Sequence, residues 1–452
     1  MRSWIKRRFF SSSDRLQVFS NVAWSMVGKL TNLFCVFLTG VLVARFLGAK
    51  QFGLMSYVIN FVTLFSLFAD FGMQNVEIRE MSKRPKMRNA LMGTAFTLKI
   101  ICAIITLAAI LIVSLLSESS YETVIMIMVY SVSIIMQSFS VIRNYFTSIV
   151  NNKYVVQSEM LRSIIGAGIK VLLILLHASL MAFIIASAFD FVLVAGGYIY
   201  SYRKKVGSIK EWIFSSKIAC YYLRQSAPLM LSGVAYVIYQ RVDQVIIGQM
   251  IGVTSVGYFS AATRISDMIL FLPQIIVQTV SPLLVRAKEK SESEYRNKVL
   301  KILGIINCGT FLVSSLVSIF AYWIVIITFG MQYLPSILVL QILAFKAFGM
   351  ALSSSGNQII VIESIQKYVY LRNLSGAILC VTLNILLIPK WGIVGSAIVG
   401  VVSVLFAGWL CDLFIPQYRK IFFLQTMSLI YGWKELFGIF SRDRDTHKHI
   451  NY

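Results

Sequence analysis

The stretches RFLGAKQFGLMS (45–56) and QMIGVTSVGYFS (249–260) carry one pattern at a constant offset of 204 residues. Gly48 aligns with Gly252, Gly53 with Gly257, and Ser56 with Ser260. Each stretch closes a long apolar run, so the pattern marks equivalent ends of two equivalent helices. A second match, NKYV (152–155) with QKYV (366–369), lies at an offset of 214. Self-similarity at a nearly fixed offset is an internal repeat. Both copies run in the same direction with an even number of apolar runs each. A parallel repeat of this kind predicts two related bundles around a central cavity, the arrangement of a transporter.

The composition agrees with a membrane setting. Of 452 residues, 58% are hydrophobic and only 13% charged, against ~25% charged in an average soluble chain. Mean hydropathy is +0.76. The apolar residues fall in blocks of roughly 20, the length a helix needs to cross a bilayer. The fold class expected is therefore an all-α polytopic membrane protein. Twelve spans are expected at 18–44, 52–71, 90–116, 122–147, 160–178, 180–200, 227–250, 255–284, 299–328, 334–355, 368–388 and 392–415. The boundary at LLHASL, after the fifth span, is the weakest. The basic N-terminus leads into an apolar stretch too long for a cleavable signal, with no A-x-A-like site after it, and reads as a retained first span.

The net charge of +23 would suggest nucleic acid in a soluble protein. Here the positive-inside rule accounts for it. Lys and Arg concentrate in 2–15, 79–88, 143–162, 203–224, 286–301, 367–372 and 419–448, all on one side of a twelve-helix topology. The opposite side holds Arg45, Lys50 and Lys390. Both termini are thus expected in the cytoplasm and no nucleic-acid partner is implied. The expected organisation is an N-terminal lobe (1–200), a cytoplasmic linker (201–226), a C-terminal lobe (227–415), and a basic tail (416–452) with an interfacial segment at 421–440. The outer loops are too short to hold a catalytic domain.

Three elements carry a family resemblance: ARFLGAKQFGLMSY (44–57), DFGMQNVEIREMSK (70–83) and YQRVDQVIIGQMIGVTSVGYFSAATRISD (239–267). Over roughly residues 15–415 the chain resembles the polysaccharide flippases of the multidrug/oligosaccharidyl-lipid/polysaccharide (MOP) exporter superfamily, and among these the O-antigen flippases. The resemblance implies a transporter, not an enzyme. Its expected substrate is an undecaprenyl-pyrophosphate-linked oligosaccharide, carried across the bacterial inner membrane by alternating access. Other polysaccharide-assembly membrane proteins are possible partners on the same ground. The alternatives are a multidrug exporter of the same superfamily and, from another class, a membrane polysaccharide polymerase or glycosyltransferase. An exporter of cations should line its cavity with acids, whereas embedded cations outnumber embedded acids here. An enzyme would need a long external loop or a cytosolic domain.

Six cations fall inside spans: Lys29, Lys99, Lys170, Arg241, Arg264 and Lys346. An ionisable group inside a span costs ~2.5–3.5 kcal/mol on insertion scales and normally faces a cavity or a partner. The candidate substrate-binding cations are Lys29, Arg264, Arg241, Lys346 and Lys170, with Arg45 at the periplasmic mouth or capping the first span. The forked guanidinium suits phosphate. For Lys29 and Arg264 the resemblance adds that the more distant lipid II flippases carry cavity cations in their first and eighth spans. Lys99 reads either as a cavity cation or as snorkelling from a helix end. Among the acids, Asp70 sits at a wetted span end. Asp267 lies three residues from Arg264, where the two can pair. Asp190 has no cation nearby in sequence and reads as an ion-coupling carboxyl or a partner for a neighbouring helix. Arg241 and Asp243 are roughly 200° apart around a helix. They should point in different directions, with Asp243 holding a cation of span 1 or span 8. Pro273 and Pro282 suggest a kink or static packing in span 8.

No P-loop, nucleotide fingerprint or zinc-spaced Cys and His cluster occurs, so no cofactor, metal or catalytic residue is expected. The six cysteines stand apart and read as small hydrophobes. His447 and His449 form an H-x-H in a polar tail, which reads as solvated.

Overall fold

The computed structural model describes residues 12–118 and 120–446, and among these every regular element is a helix. The segment Ser12–Asp70 breaks at Gly48 into α1 (12–47) and α2 (49–70). There follow α3 (Gln74–Lys83), α4 (Arg88–Ser117), α5 (Tyr121–Gln137), α6 (Ser140–Ser148), α7 (Lys153–Leu175) and α8 (Leu180–Lys205). The second half holds α9 (Ser216–Ile251), α10 (Val253–Lys290), α11 (Glu292–Lys298), α12 (Gly304–Ile319), α13 (Ala321–Phe329), α14 (Ser336–Leu343) and α15 (Lys346–Ile362). Val369–Leu405 breaks at Gly392, giving α16 (369–391) and α17 (393–414), the latter through a π turn at Phe406–Leu410. The last helix is α18 (Arg419–Thr446).

The expected spans lie largely on helix, with turns at 138–139, 320 and 344–345 inside three of them. Among the described residues eight stretches, two of them running through the breaks at Gly48 and Gly392, are long and apolar enough to cross a membrane. Their outer faces carry large apolar side chains such as Phe34, Ile105, Leu116, Ile319 and Ile378. In water such faces would aggregate; against lipid tails they are solvated. The LLHASL boundary is a real break: His177 adopts a left-handed φ of 49° and Ser179 is extended. Pro273 and Pro282 both lie inside α10, which continues through them.

The chain forms two compact units, residues 1–47 with 57–234, and residues 48–56 with 235–452. In the first, residues of α3, α4, α6 and α8 build an apolar core around Met92, Val141 and Tyr202. The expected linker packs onto that core. Ile213 N–H donates to Asn89 O (3.2 Å), and Trp212 meets the rings of Phe96 and Tyr202. In the second unit, α9, α10, α15 and α16 share a core around Tyr239, Ala347 and Cys380. The segment expected in the interface is a helix docked on α12, α15 and α17. Gln425 donates to Leu352 O and Gly408 O, and Glu435 pairs with Lys301 at 2.9 Å. Its two in-sequence charges, Lys434 and Glu435, hid the side-chain partners that fasten it.

The repeated glycines explain why residues 48–56 join the second unit. Gly48 (φ 70°, ψ 171°) and Gly252 (φ 95°, ψ 163°) both occupy a backbone region closed to residues with a side chain. One helical turn on, a Cβ at Gly53 would lie 1.8 Å from Val253 O, and one at Gly257 would lie 2.0 Å from Ala49 O. The offset of 204 carries each contact onto the other, so the two copies of the motif cross at backbone contact, related by local two-fold symmetry. Gly257→Ala is expected to lower the melting temperature in detergent. Gly309→Ala, whose Cβ would meet nothing within 4 Å, should leave it unchanged or raise it, since Ala favours helix by up to about 1 kcal/mol. Equal effects from the two substitutions would contradict the close crossing.

Candidate functional site

The charges at membrane depth divide into two sets. In the first unit Lys99, on α4, is fully buried, not snorkelling at a helix end. Its Nζ lies 2.8 Å from Asp70 Oδ1 and 3.0 Å from Glu77 Oε1, and donates to Ser140 Oγ at 3.0 Å. Asn144 on α6 donates to the other oxygen of Glu77 at 2.7 Å. This network forms one side of a cavity of about 330 Å³, which Gln74, Gln137, Arg143 and Tyr198 also line. Arg143 is drawn to Glu159 (3.2 Å), which also accepts from Tyr198 OH. The cavity therefore pairs each of its cations with carboxylate. It can hold a hydrated polar group but has no positive charge to spare.

Lys170 and Asp190, given separate roles from sequence, form one ion pair. Lys170 Nζ on α7 lies 2.5 Å from Asp190 Oδ2 on α8. Gly166 makes room for it, since a Cβ there would fall 2.1 Å from Asp190 Oδ1. The two residues are twenty positions apart across the α7–α8 turn, which is why Asp190 looked unaccompanied. About two turns below Lys170 on α7, Arg162 donates to Asn32 Oδ1 on α1 at 2.7 Å. Lys29 is exposed on α1 beside the exposed Met26, Val27 and Leu30. Arg45 is exposed near the end of the same helix.

The second unit is less evenly balanced. Arg241 and Asp243 do point apart: Asp243 is buried and Arg241 half-exposed. Asp267, three residues from Arg264, has its Oδ2 3.2 Å from the Arg241 guanidinium of α9. Arg264, half-buried, lies over the face of Phe52, 5.1 Å from its centroid. The three side chains together carry an excess of one positive charge. Phe52 belongs to the glycine-motif segment and packs edge-on to Tyr333 (6.3 Å), so the cation–π contact ties Arg264 to that crossing. Asp243 receives the Gln244 N–H at 2.8 Å. Lys346, at the start of α15, is also buried in this unit.

Arg372, counted from sequence among the cytoplasmic loop charges, is only 2% exposed. Its guanidinium donates to Ala407 O and Gly408 O, each at 2.9 Å, and to Asn357 Oδ1 at 3.1 Å, while buried Asp412 neutralises it from 3.1 Å. The carbonyls are freed by the π turn of α17, where the ordinary helical ladder shifts register. Glu77, Asn144 and Arg372 escaped sequence reasoning because each lies near a span end beside solvent-type residues. The signal for Glu77 was its place in the DFGMQNVEIREMSK motif.

Among the described residues no group of three His, Cys, Asp or Glu could hold a metal, and the six cysteines are all free. His447 and His449 lie outside the described residues.

The family described as polysaccharide biosynthesis protein matches residues 18–288, more than half of the chain. The chain belongs to that family. A search of curated proteins gave no match. Among solved structures, the lipid II flippase MurJ in an inward closed conformation has a TM-score of 0.68 at 17% identity, covering 93% of this chain and 99% of that one. An inward-facing multidrug resistance MATE family transporter of the MOP superfamily scores 0.62 at 16% identity, covering 89% and 96%. A MOP superfamily transporter from Pyrococcus furiosus, described by a binding pocket of reverse polarity, scores 0.51 at 15% identity, covering 93% and 94%. The polysaccharide-biosynthesis chain thus has the MOP-superfamily transporter fold and is a multi-pass membrane protein.

The buried network makes a stability prediction. Lys99→Met leaves two carboxylates confronting each other without their cation, and loss of one partner from a buried ionic group costs about 3–5 kcal/mol. The variant should melt well below the native protein in detergent, and Glu77→Gln in the same chain should recover part of the loss. A native melting temperature for Lys99→Met would show that the network is not holding the unit together.

Proposed function

We propose that the chain is a flippase that moves an undecaprenyl-pyrophosphate-linked oligosaccharide, an O-antigen or related surface-polysaccharide unit, across the bacterial inner membrane. The observation that carries the reading is that two guanidinium groups, Arg241 held by Asp267 and Arg264 over the Phe52 ring, are set on α9 and α10 at membrane depth in a polysaccharide-biosynthesis chain. A pyrophosphate passing through a membrane must replace the hydration of its charges, and guanidinium groups do so with paired, charge-assisted hydrogen bonds. Exposed Lys29 supplies a further cation on α1. In this reading Arg241 is oriented by Asp267 and Arg264 by the Phe52 ring, so both guanidinium groups are set before the head group arrives. The lipid tail stays in hydrocarbon throughout.

The exporter reading retains one supporting observation: around Lys99, Asp70 and Glu77 supply two carboxylates for one ammonium. A transporter of organic cations would draw on those acids and be indifferent to the arginines.

Complementation of a flippase-deletion strain separates the two. Arg264→Ala, Arg241→Ala and Lys29→Ala, expressed to native levels, should each lower surface glycan about tenfold or more, since a hydrogen bond to a charged group contributes ~1.5–3 kcal/mol. Arg264→Lys should retain part of the activity. Full surface glycan from both Arg264→Ala and Arg241→Ala, together with altered tolerance to cationic dyes in an Asp70→Asn variant, would favour export over flipping.

A further inference from the structure

At one end of the α7–α8 hairpin a recess of about 310 Å³ opens beside Lys153, Tyr154, Tyr200, Ser201, Lys204 and Lys205. Among the described residues no carboxylate lines it. Each ammonium sits instead over an aromatic face: Lys153 over Trp24 (5.5 Å), Lys204 over Tyr200 (5.4 Å) and Lys205 over Tyr154 (5.1 Å). A ring face steadies a cation without cancelling its charge. Three like charges converging on one small concavity repel each other, and a multivalent anion placed among them relieves that repulsion. The charge pattern of the chain assigns this end to the cytoplasmic surface, and Trp and Tyr are the residues that mark the headgroup level.

Lysines on the cytoplasmic side need no ligand to explain them, but the repeat supplies a control. NKYV, which brings Lys153 and Tyr154 to the recess, recurs as QKYV in the second unit, where Lys367 lies over Tyr368 (5.8 Å). There Tyr368 packs on the fully buried Tyr418 (6.2 Å), whose hydroxyl donates to Ile365 O (2.9 Å). The second copy of the motif is thus closed by a tyrosine, whereas the first is ringed by lysines.

We infer that this recess binds a phosphate-bearing headgroup. The ligand's phosphate sits among Lys153, Lys204 and Lys205, and the volume suits a phosphate with a small polar substituent rather than an extended glycan. Two sources share that chemistry: the diester of an anionic phospholipid, and the pyrophosphate of a lipid-linked substrate. The inference does not rest on the flippase reading, because a regulatory lipid would use the same groups.

The test uses the full chain in detergent with two probes: phosphatidylglycerol, followed by native mass spectrometry against phosphatidylcholine, and inorganic pyrophosphate, followed by equilibrium dialysis. The triple variant Lys153→Gln, Lys204→Gln, Lys205→Gln should bind the occupying probe at least about tenfold more weakly, as expected from losing three cations from a lipid-phosphate site. The Lys367→Gln variant should bind as the native protein does. Loss confined to phosphatidylglycerol identifies a phospholipid site, and loss extending to pyrophosphate identifies one open to the substrate head. Either supports the site. Native binding of both probes by the triple variant, or equal loss from Lys367→Gln, would overturn it.

Discussion

An ionised side chain among helices surrounded by lipid has few ways to survive, and the interior of this protein is organised by that constraint. Water cannot supply the missing solvation, so the counter-charge must come from another helix. Lys99 draws α2, α3 and α4 together through Asp70 and Glu77, and Ser140 and Asn144 add α6 to the same cluster. Lys170 and Asp190 close the α7–α8 hairpin, and Arg372 with Asp412 locks α16 to the π turn of α17. Buried pairs of this kind contribute little net stability compared with apolar packing, but they penalise any arrangement that separates them. Their value is in specifying which helices meet.

Against that background the α9–α10 pair stands out by its uneven charge. Asp267 serves Arg241 across the two helices, and Arg264 is turned onto Phe52. The same Phe52 belongs to the glycine motif, where Gly53 and Gly257 allow backbones to touch. The repeat thus provides more than symmetry. It places the Arg264–Phe52 cation–π contact beside a crossing too close to tolerate a side chain, so that guanidinium is held against a constrained part of its unit.

Much of this fold was open to reading from the chain itself. Apolar run lengths located the spans, and the recurrence of Gly48 and Gly53 as Gly252 and Gly257 located the equivalent helix ends, because glycine there answers to backbone geometry. Directions around a single helix were also legible, as the divergence of Arg241 from Asp243 shows. Partner choice was not. Asp267 binds Arg241 on another helix, and Asp190 pairs with Lys170 across a turn, because pairing in a bundle is decided by helix rotation and crossing. Arg372 was misplaced for a related reason: a charge at a span end looks solvated until the π turn that receives it is seen. The docked helix α18 escaped because its partners, Gly304, Asn307 and Leu352, lie more than seventy residues away in sequence.

The central claim is that this chain carries a lipid-linked pyrophosphate head past arginines set in its membrane helices. The most direct measurement is transport in proteoliposomes of purified protein loaded with an undecaprenyl-pyrophosphate oligosaccharide, its movement between leaflets followed by access of an external glycan-modifying enzyme. The account predicts protein-dependent movement that is strongly slowed when Arg241 and Arg264 are both replaced by Gln and unaffected by cationic dyes. Movement at the native rate by that double variant, or none at all by the native protein while it transports organic cations, would contradict it.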